Sequence, residues 1–191
     1  MQKRFVILCM LAVSLIGLLL LSIPALQAEE GNTSGDKNLT ARGEYLNKIG
    51  DCGACHSPKI FTATGPMEDT SRYLSGHPAD EALPEMPDGI LGPTSWGYMA
   101  NNGNTAFFGP WGVSFGINLT PDPTTGIGHW TEEQFIKAMR EGKHRGMGRP
   151  VLPPMPRSHM TDDDLKALFA YYQSLKPVEN KVPSPIPPAN K

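Results

Sequence analysis

The chain has 191 residues, with 17 Lys and Arg against 19 Asp and Glu, and a formal net charge of −2. This mildly acidic balance argues against nucleic-acid binding, which usually requires a basic surface. The 20 glycines, 19 prolines and 8% aromatic content predict a small core, or one that something other than side chains helps to fill.

The first 28 residues have the pattern of an export signal. Lys3 and Arg4 precede an apolar run from Phe5 to Ile23, and Ala28 is a small residue at a suitable cleavage position. This order is typical of a secretory signal peptide. The run, 19 residues long, also reaches the ~18 apolar residues of a membrane span. We therefore predict a signal peptide or an N-terminal membrane anchor over residues 1–28. The rest of the chain is expected in the periplasm or otherwise outside the cytoplasm, either soluble or anchored to the inner membrane.

The remainder divides into four parts by composition. Residues 29–38 are a polar linker, and residues 39–177 have the length of one domain. Within that domain, about residues 61–116 form a loop-rich insertion, and residues 178–191 are a Pro-rich tail. The tail is expected to be extended, as a surface wrap or spacer rather than a PxxP ligand.

A first helix is predicted from the apolar spacing that starts at Leu39. Thr40 is the candidate N-cap, and the helix is expected to run into Cys52. From Ser57 to about Thr125, dense Gly, Pro, Asn and Ser favour turns and irregular loops over long helices. Aromatic residues are interleaved there, which predicts a packed lobe; they are Trp96, Tyr98, Phe107, Phe108 and Trp111.

Two further helices follow the insertion. Thr131 and Gln134 form a capping box, and Gly142 stops the helix that it starts. Thr161 is followed by three aspartates, which suit the first turn of a last helix that ends before Pro177. The overall prediction is a mostly α chain with a long Gly/Pro-rich insertion.

The stretch Cys52-Gly53-Ala54-Cys55-His56 carries the chemistry. A structural disulfide here would close a tight, strained loop. A thioredoxin-like dithiol needs a βαβ context, and a zinc site needs a second pair of ligands at matching spacing. C-x-x-C-H is the signature of covalent haem attachment. It predicts one haem c, held by Cys52 and Cys55 and ligated by His56.

The second iron ligand is predicted to be Met155. It lies in a loop that Pro153, Pro154 and Pro156 stiffen just before the last helix. His/Met ligation raises the reduction potential and suits electron transfer. The alternatives are Met67, Met86, Met99, Met147, Met160, His144 and His159.

At this point the chain resembles the class I c-type cytochromes, in particular the cytochrome c subunits of bacterial membrane-bound dehydrogenases. The resemblance rests on "RGEYLNKIGDCGACHSPK", "NLTPDPTTGIGHWTEEQFIKAMREGK", "LPPMP" and "TDDDLKALFAYYQSLKPVENKVP". Such subunits usually carry several haem modules, whereas this sequence has a single C-x-x-C-H. The resemblance implies a class I cytochrome c fold, in which N- and C-terminal helices cross around one haem.

The resemblance also implies roles for particular positions. Gly43 would allow the first helix to cross the last near Phe169 and Tyr172. The carbonyl near Pro66 would accept a hydrogen bond from the His56 ring. Residues 118–128 would form the loop beside the haem edge, and either Trp130 or Arg149 would meet a haem propionate.

The resulting hypothesis is an exported monohaem cytochrome, not itself an enzyme, that transfers single electrons. Its partners would be a dehydrogenase as donor and an oxidase or another cytochrome as acceptor, with no role for nucleic acid. One alternative is a peroxidase-like haem enzyme or ligand sensor with a labile Met155. Another is a subunit that docks on a membrane dehydrogenase.

Overall fold

The computed structural model describes residues 30–86, 88–92 and 94–188, with side chains from residue 35 onward. The described residues from Leu39 onward form one compact unit. The predicted signal peptide or anchor lies outside the described residues. Within the described ranges, no helix is both long enough and apolar enough to cross a membrane.

Four α-helices occur in the described ranges: α1 (Glu30–Ile49), α2 (Cys52–His56), α3 (Glu132–Glu141) and α4 (Asp162–Ser174). Helix α1 starts nine residues before Leu39, so Thr40 lies inside it and the prediction that Thr40 caps it is wrong. Residues 30–38 contain no proline, so nothing blocks the helix from extending upstream.

The first helix does not run into the cysteine motif, contrary to prediction. The backbone breaks at Asp51, which adopts a left-handed conformation with φ 49°. Asp tolerates this conformation better than most residues. The motif therefore forms a separate five-residue helix, α2.

The caps of the two later helices agree with the prediction. Thr131 and Gln134 form the reciprocal capping box of α3, and Gly142 ends that helix at φ 64°. The Thr161 side chain accepts a hydrogen bond from the Asp164 backbone and caps α4. Helix α4 ends at Ser174, three residues before Pro177.

Helices α1 and α4 are in contact at Gly43. A Cβ built on Gly43 would lie 2.6 Å from the Tyr171 Cβ and would overlap the Ala167 carbonyl. The close approach predicted for Gly43 is present, but it falls on Ala167 and Tyr171. Tyr172 reaches α1 at another point, where its hydroxyl donates to Asn47 at 3.2 Å. The buried core at this contact consists of Leu46, Leu74, Leu119, Ile127, Phe135, Leu165, Ala167, Leu168 and Tyr172.

The insertion contains two small antiparallel sheets, so the expectation of irregular loops alone is wrong. One is a hairpin of β1 (Lys59–Thr62) and β2 (Gly65–Glu68). The other has the order β3 (Met99–Ala100), β4 (Ala106–Gly109) and β5 (Gly112–Phe115). Gly65 and Gly112 have positive φ at the turns that connect neighbouring strands. These glycines therefore allow tight turns between strands and do not prevent the strands from forming.

The Pro-rich tail is extended and attached to the domain. Val113 and Ile186 exchange two backbone hydrogen bonds of 2.8 and 3.0 Å along the edge of β5. The Asn180 amide donates to the carbonyls of Ser75 and His77 at 2.7 and 2.9 Å. Its carbonyl oxygen accepts from the Ala79 backbone at 3.0 Å. The tail is therefore a surface wrap.

Candidate haem site

Helix α2 carries both cysteines of the motif. Cys52 and Cys55 are free thiols, each half-buried, and Cys52 packs against the hydrophobic core. Burial raises the pKa of both thiols, and the neighbouring Lys59 partly opposes this at Cys55. Both sulfurs are thus available for thioether bonds on one face of a short helix.

His56 lies at the end of the same helix and is buried. Its Nδ1 lies 2.8 Å from the backbone carbonyl oxygen of Ile117. A carbonyl can only accept, so Nδ1 carries the proton and the Nε2 lone pair is left for a metal. Burial lowers the pKa of His56, which favours the neutral imidazole that binds metals.

The prediction that the carbonyl near Pro66 accepts a hydrogen bond from the His56 ring is therefore wrong. Pro66 lies in strand β2, whereas the acceptor Ile117 directly follows strand β5 and Gly116. A Cβ on Gly116 would overlap the Cys55 carbonyl and lie 3.5 Å from the His56 Cα. The missing side chain of Gly116 thus lets the end of the insertion pack directly on the motif.

Other residues of the insertion also hold α2. The Gly76 backbone N–H donates to the His56 carbonyl at 2.7 Å, and the Ser57 hydroxyl accepts from the Leu74 backbone at 2.9 Å. Asn104, from the turn before β4, donates to the Ala54 carbonyl at 3.1 Å. No local pattern predicts these contacts, because the partners lie 17 to 50 residues away along the chain.

Met155 lies on a separate loop between α3 and α4, and its side chain is 38% exposed. This loop is attached on both sides of Met155. The Ser114 hydroxyl of β5 donates to the Pro153 carbonyl, and the Ser158 backbone donates to the Met139 carbonyl at 3.0 Å. Its role as an iron ligand stays a prediction.

The alternative ligands have varied surroundings. Met160 packs against the core, whereas Met147 is 74% exposed. The His144 ring contacts the Trp130 ring edge-on, with centroids 5.0 Å apart, and His159 is exposed. The other methionines among the alternative ligands lie exposed in the insertion; they are Met67, Met86 and Met99. Trp130 packs against the core and Arg149 is exposed, and the contact of either with a propionate stays a prediction.

The residues of α2 fit haem c in their chemistry. Two free thiols flank one turn of helix, and the next residue is a buried imidazole whose Nδ1 proton is already engaged. A ligating histidine is normally oriented by such a hydrogen bond from its other ring nitrogen.

Comparison with known proteins identifies three cytochrome subunits at similar identity. The cytochrome c subunit of a quinone-linked alcohol dehydrogenase from Gluconobacter oxydans (strain 621H) is 31% identical over 88% of this chain and 28% of its own length. The gluconate 2-dehydrogenase cytochrome c subunit of Pantoea cypripedii is 34% identical over 80% of this chain and 26% of its own length. The fructose dehydrogenase cytochrome subunit of Gluconobacter japonicus is 31% identical over 86% of this chain and 26% of its own length.

This chain is a homologue of the cytochrome c subunits of bacterial dehydrogenases. The resemblance predicted from the motifs is confirmed by these relatives. The chain spans about a quarter of the length of these three relatives. No family model matches it.

Proposed function

We propose that this chain is an exported c-type cytochrome with one haem c and a class I cytochrome c fold. Cys52 and Cys55 form the thioether bonds, His56 is the proximal ligand and Met155 is the distal ligand. Residues 1–28 direct export or anchor the chain, residues 39–177 form the cytochrome domain, and residues 178–191 wrap its surface. The protein works in the periplasm, as a soluble carrier or attached to the inner membrane.

One observation carries this proposal. The buried His56 ring has its Nδ1 fixed at 2.8 Å from the Ile117 carbonyl, and it follows two free thiols on the same helix. This arrangement sets the tautomer and orientation that iron ligation needs. The Met155 loop adds support, since its attachments at Pro153 and Ser158 restrict where a weakly binding thioether can move.

Each part of the chain has a stated task in this function. When bound, haem c supplies a one-electron iron couple. His56 and Met155 would hold the iron between them and leave no open position for an exogenous ligand, and His/Met ligation would raise the reduction potential. Cys52 packs against the core that contains Leu168 and Tyr172, and this core shields one side of the attachment helix. The chain thus binds and orients the cofactor but performs no bond chemistry on a substrate.

The names of the relatives suggest the redox partners. They are cytochrome subunits of alcohol, gluconate and fructose dehydrogenases. We propose that a dehydrogenase delivers electrons to this chain, which passes them to an oxidase or another cytochrome. It acts either as a free carrier or as a docked subunit.

The test is haem attachment in the exported protein. The wild type is expected to keep its haem after denaturation and to cycle between oxidised and reduced spectra of low-spin haem c. The double variant Cys52→Ser, Cys55→Ser should lose covalent haem, and Cys9→Ser, the remaining cysteine, should keep it. A wild type without covalent haem contradicts the proposal. A high-spin wild type would instead support the peroxidase-like or ligand-sensing alternative.

A further inference from the structure

Lys59 lies at the carbonyl end of the haem-attachment helix. Its Nζ donates to three backbone carbonyls, at 3.2 Å from Gly53, 3.0 Å from Ala54 and 2.6 Å from Ser57. The last carbonyls of a helix have no partner within the helix. One half-buried ammonium group therefore donates to two carbonyls of the helix that carries both cysteines and His56, and to that of Ser57 directly after it. It shares this end of the helix with the Asn104 amide and the Gly76 backbone N–H.

A hairpin of the insertion holds Lys59 in this position. Lys59 begins β1 and pairs across the hairpin with Glu68 at the end of β2. Glu68 also faces the helix: a Cβ built on Gly53 would lie 3.0 Å from its Oε2. The hairpin thus places one cation and one anion next to α2, both beside Gly53.

The charge of Lys59 is not neutralised by a direct ion pair. In the described part of the chain, no carboxylate oxygen lies within 4.0 Å of its Nζ. Its hydrogen-bond partners are neutral carbonyls. Burial lowers the pKa of Lys59, and the carboxylates of Glu68 and Asp51 oppose this effect. A half-buried charge is screened less by solvent than an exposed one.

We propose that Lys59 is a positioning residue that closes the end of the attachment helix and, through its charge, favours the reduced state of the haem. This inference rests on the proposed function. Ferric haem carries one more positive charge than ferrous haem, so a fixed cation beside the attachment helix opposes oxidation. The insertion hairpin thereby sets the potential of the site as well as its geometry.

The experiment measures the midpoint potential of the haem-loaded protein in three variants. Lys59→Gln keeps a hydrogen-bond donor and removes the charge, whereas Lys59→Arg keeps the charge. Lys48→Met is the control, because Lys48 is an exposed lysine on α1 that pairs with Glu44 at 2.7 Å. Unfolding in denaturant, followed by haem absorbance, measures stability independently of potential.

The expected result is a shift of the reduction equilibrium toward the ferric form by about three- to tenfold in Lys59→Gln. For a one-electron couple, this is a fall of about 28 to 59 mV. Lys59→Arg and Lys48→Met should stay close to the wild type. Should Lys59→Gln not accumulate, Glu68→Gln is the second variant, because it keeps Lys59 and removes the carboxylate that pairs with it across the hairpin and opposes its charge. Its potential should rise above that of the wild type.

Two outcomes overturn the inference. If Lys59→Gln changes stability but its potential matches that of Lys48→Met, Lys59 is structural only. A potential of Glu68→Gln that is unchanged from the wild type also contradicts it. In both cases a normal haem spectrum leaves the proposed function intact. A wild type without haem c overturns the proposed function itself, and this inference with it.

Discussion

His56 donates from its ring Nδ1 to the carbonyl oxygen of Ile117 at 2.8 Å, across 61 residues of the chain. The whole insertion, about residues 61–116, lies between these two residues. Its last strand, β5, ends at Phe115, and Gly116 packs on the attachment helix. The insertion is therefore part of the candidate haem site and positions Ile117, the residue directly after it, to orient the proximal histidine.

Gly116→Ala tests this packing directly. The new Cβ would overlap the Cys55 carbonyl and come within 3.5 Å of the His56 Cα. We expect a loss of about 1–3 kcal/mol in the free energy of unfolding, as for other overpacked sites. Chemical denaturation of the haem-loaded protein measures it. Gly97→Ala is the matched control, because no atom of the described chain lies within 4 Å of a Cβ built at that position; equal effects in both variants would contradict the account.

Gly43→Ala tests the contact between α1 and α4. Ala gains about 1 kcal/mol of helix propensity over Gly. The Cβ would, however, lie 2.6 Å from the Tyr171 Cβ and overlap the Ala167 carbonyl. We expect a net loss of about 2 kcal/mol from overpacking, measured by thermal or denaturant unfolding.

Gly35→Ala, in the same helix, is the control for Gly43→Ala. No described atom approaches its Cβ within 4 Å, so only the propensity gain should remain. If both variants gain stability, the close helix contact at Gly43 is not formed.

The helix ends were predictable because their signals are local. Thr131 and Gln134 lie within one turn, and the side chain of each bonds the backbone of the other. The Thr161 signal is also local, since its side chain accepts from the Asp164 backbone N–H three residues on. The acceptor for His56 was not predictable in this way, since Ile117 carries no side-chain signal and reaches the histidine only through the sheet β3–β5.

Local signals also misjudged the insertion and the start of α1. Gly65 and Gly112 break helices, but in the structure they occupy strand ends with positive φ. Residues 30–38 have no apolar periodicity, yet they continue the helix that follows them. In each case the outcome depends on neighbouring segments, which a pattern within one segment does not contain.

Asn180→Ala tests the wrap formed by the tail. The Asn180 side chain bonds the carbonyls of Ser75 and His77 and the Ala79 backbone N–H. Its removal leaves three backbone groups without that partner, and we expect a loss of about 2–4 kcal/mol. Glu179→Ala, at the exposed neighbouring residue, should change stability by less than about 0.5 kcal/mol. Equal stability of the two variants would show that the tail does not hold the domain.

His77 predicts a pH dependence of stability. Its ring is fully buried, forms a 2.8 Å hydrogen bond with the Thr105 hydroxyl and packs on Phe115. Burial lowers the pKa of His77 from 6.5, and the nearby Glu81 partly opposes this effect. Below pH 6.5 the unfolded chain therefore binds a proton that the folded chain does not, and stability falls as pH falls. His77→Gln should have a shallower dependence between pH 7.5 and pH 5.5. The free energy of unfolding is measured with denaturant at several pH values. An equal slope of this free energy against pH in the wild type and in His77→Gln would contradict the effect.

The measurement that tests the central claim most directly is the optical spectrum of Met155→Ala beside Met147→Ala. Both remove a methionine with an exposed side chain from the region between α3 and α4. The account predicts that the wild type and Met147→Ala show low-spin haem c with the weak red methionine–iron charge-transfer band. Met155→Ala should lose that band and bind exogenous ligands. Retention of the band in Met155→Ala, or its absence from the wild type, would contradict His/Met ligation by His56 and Met155.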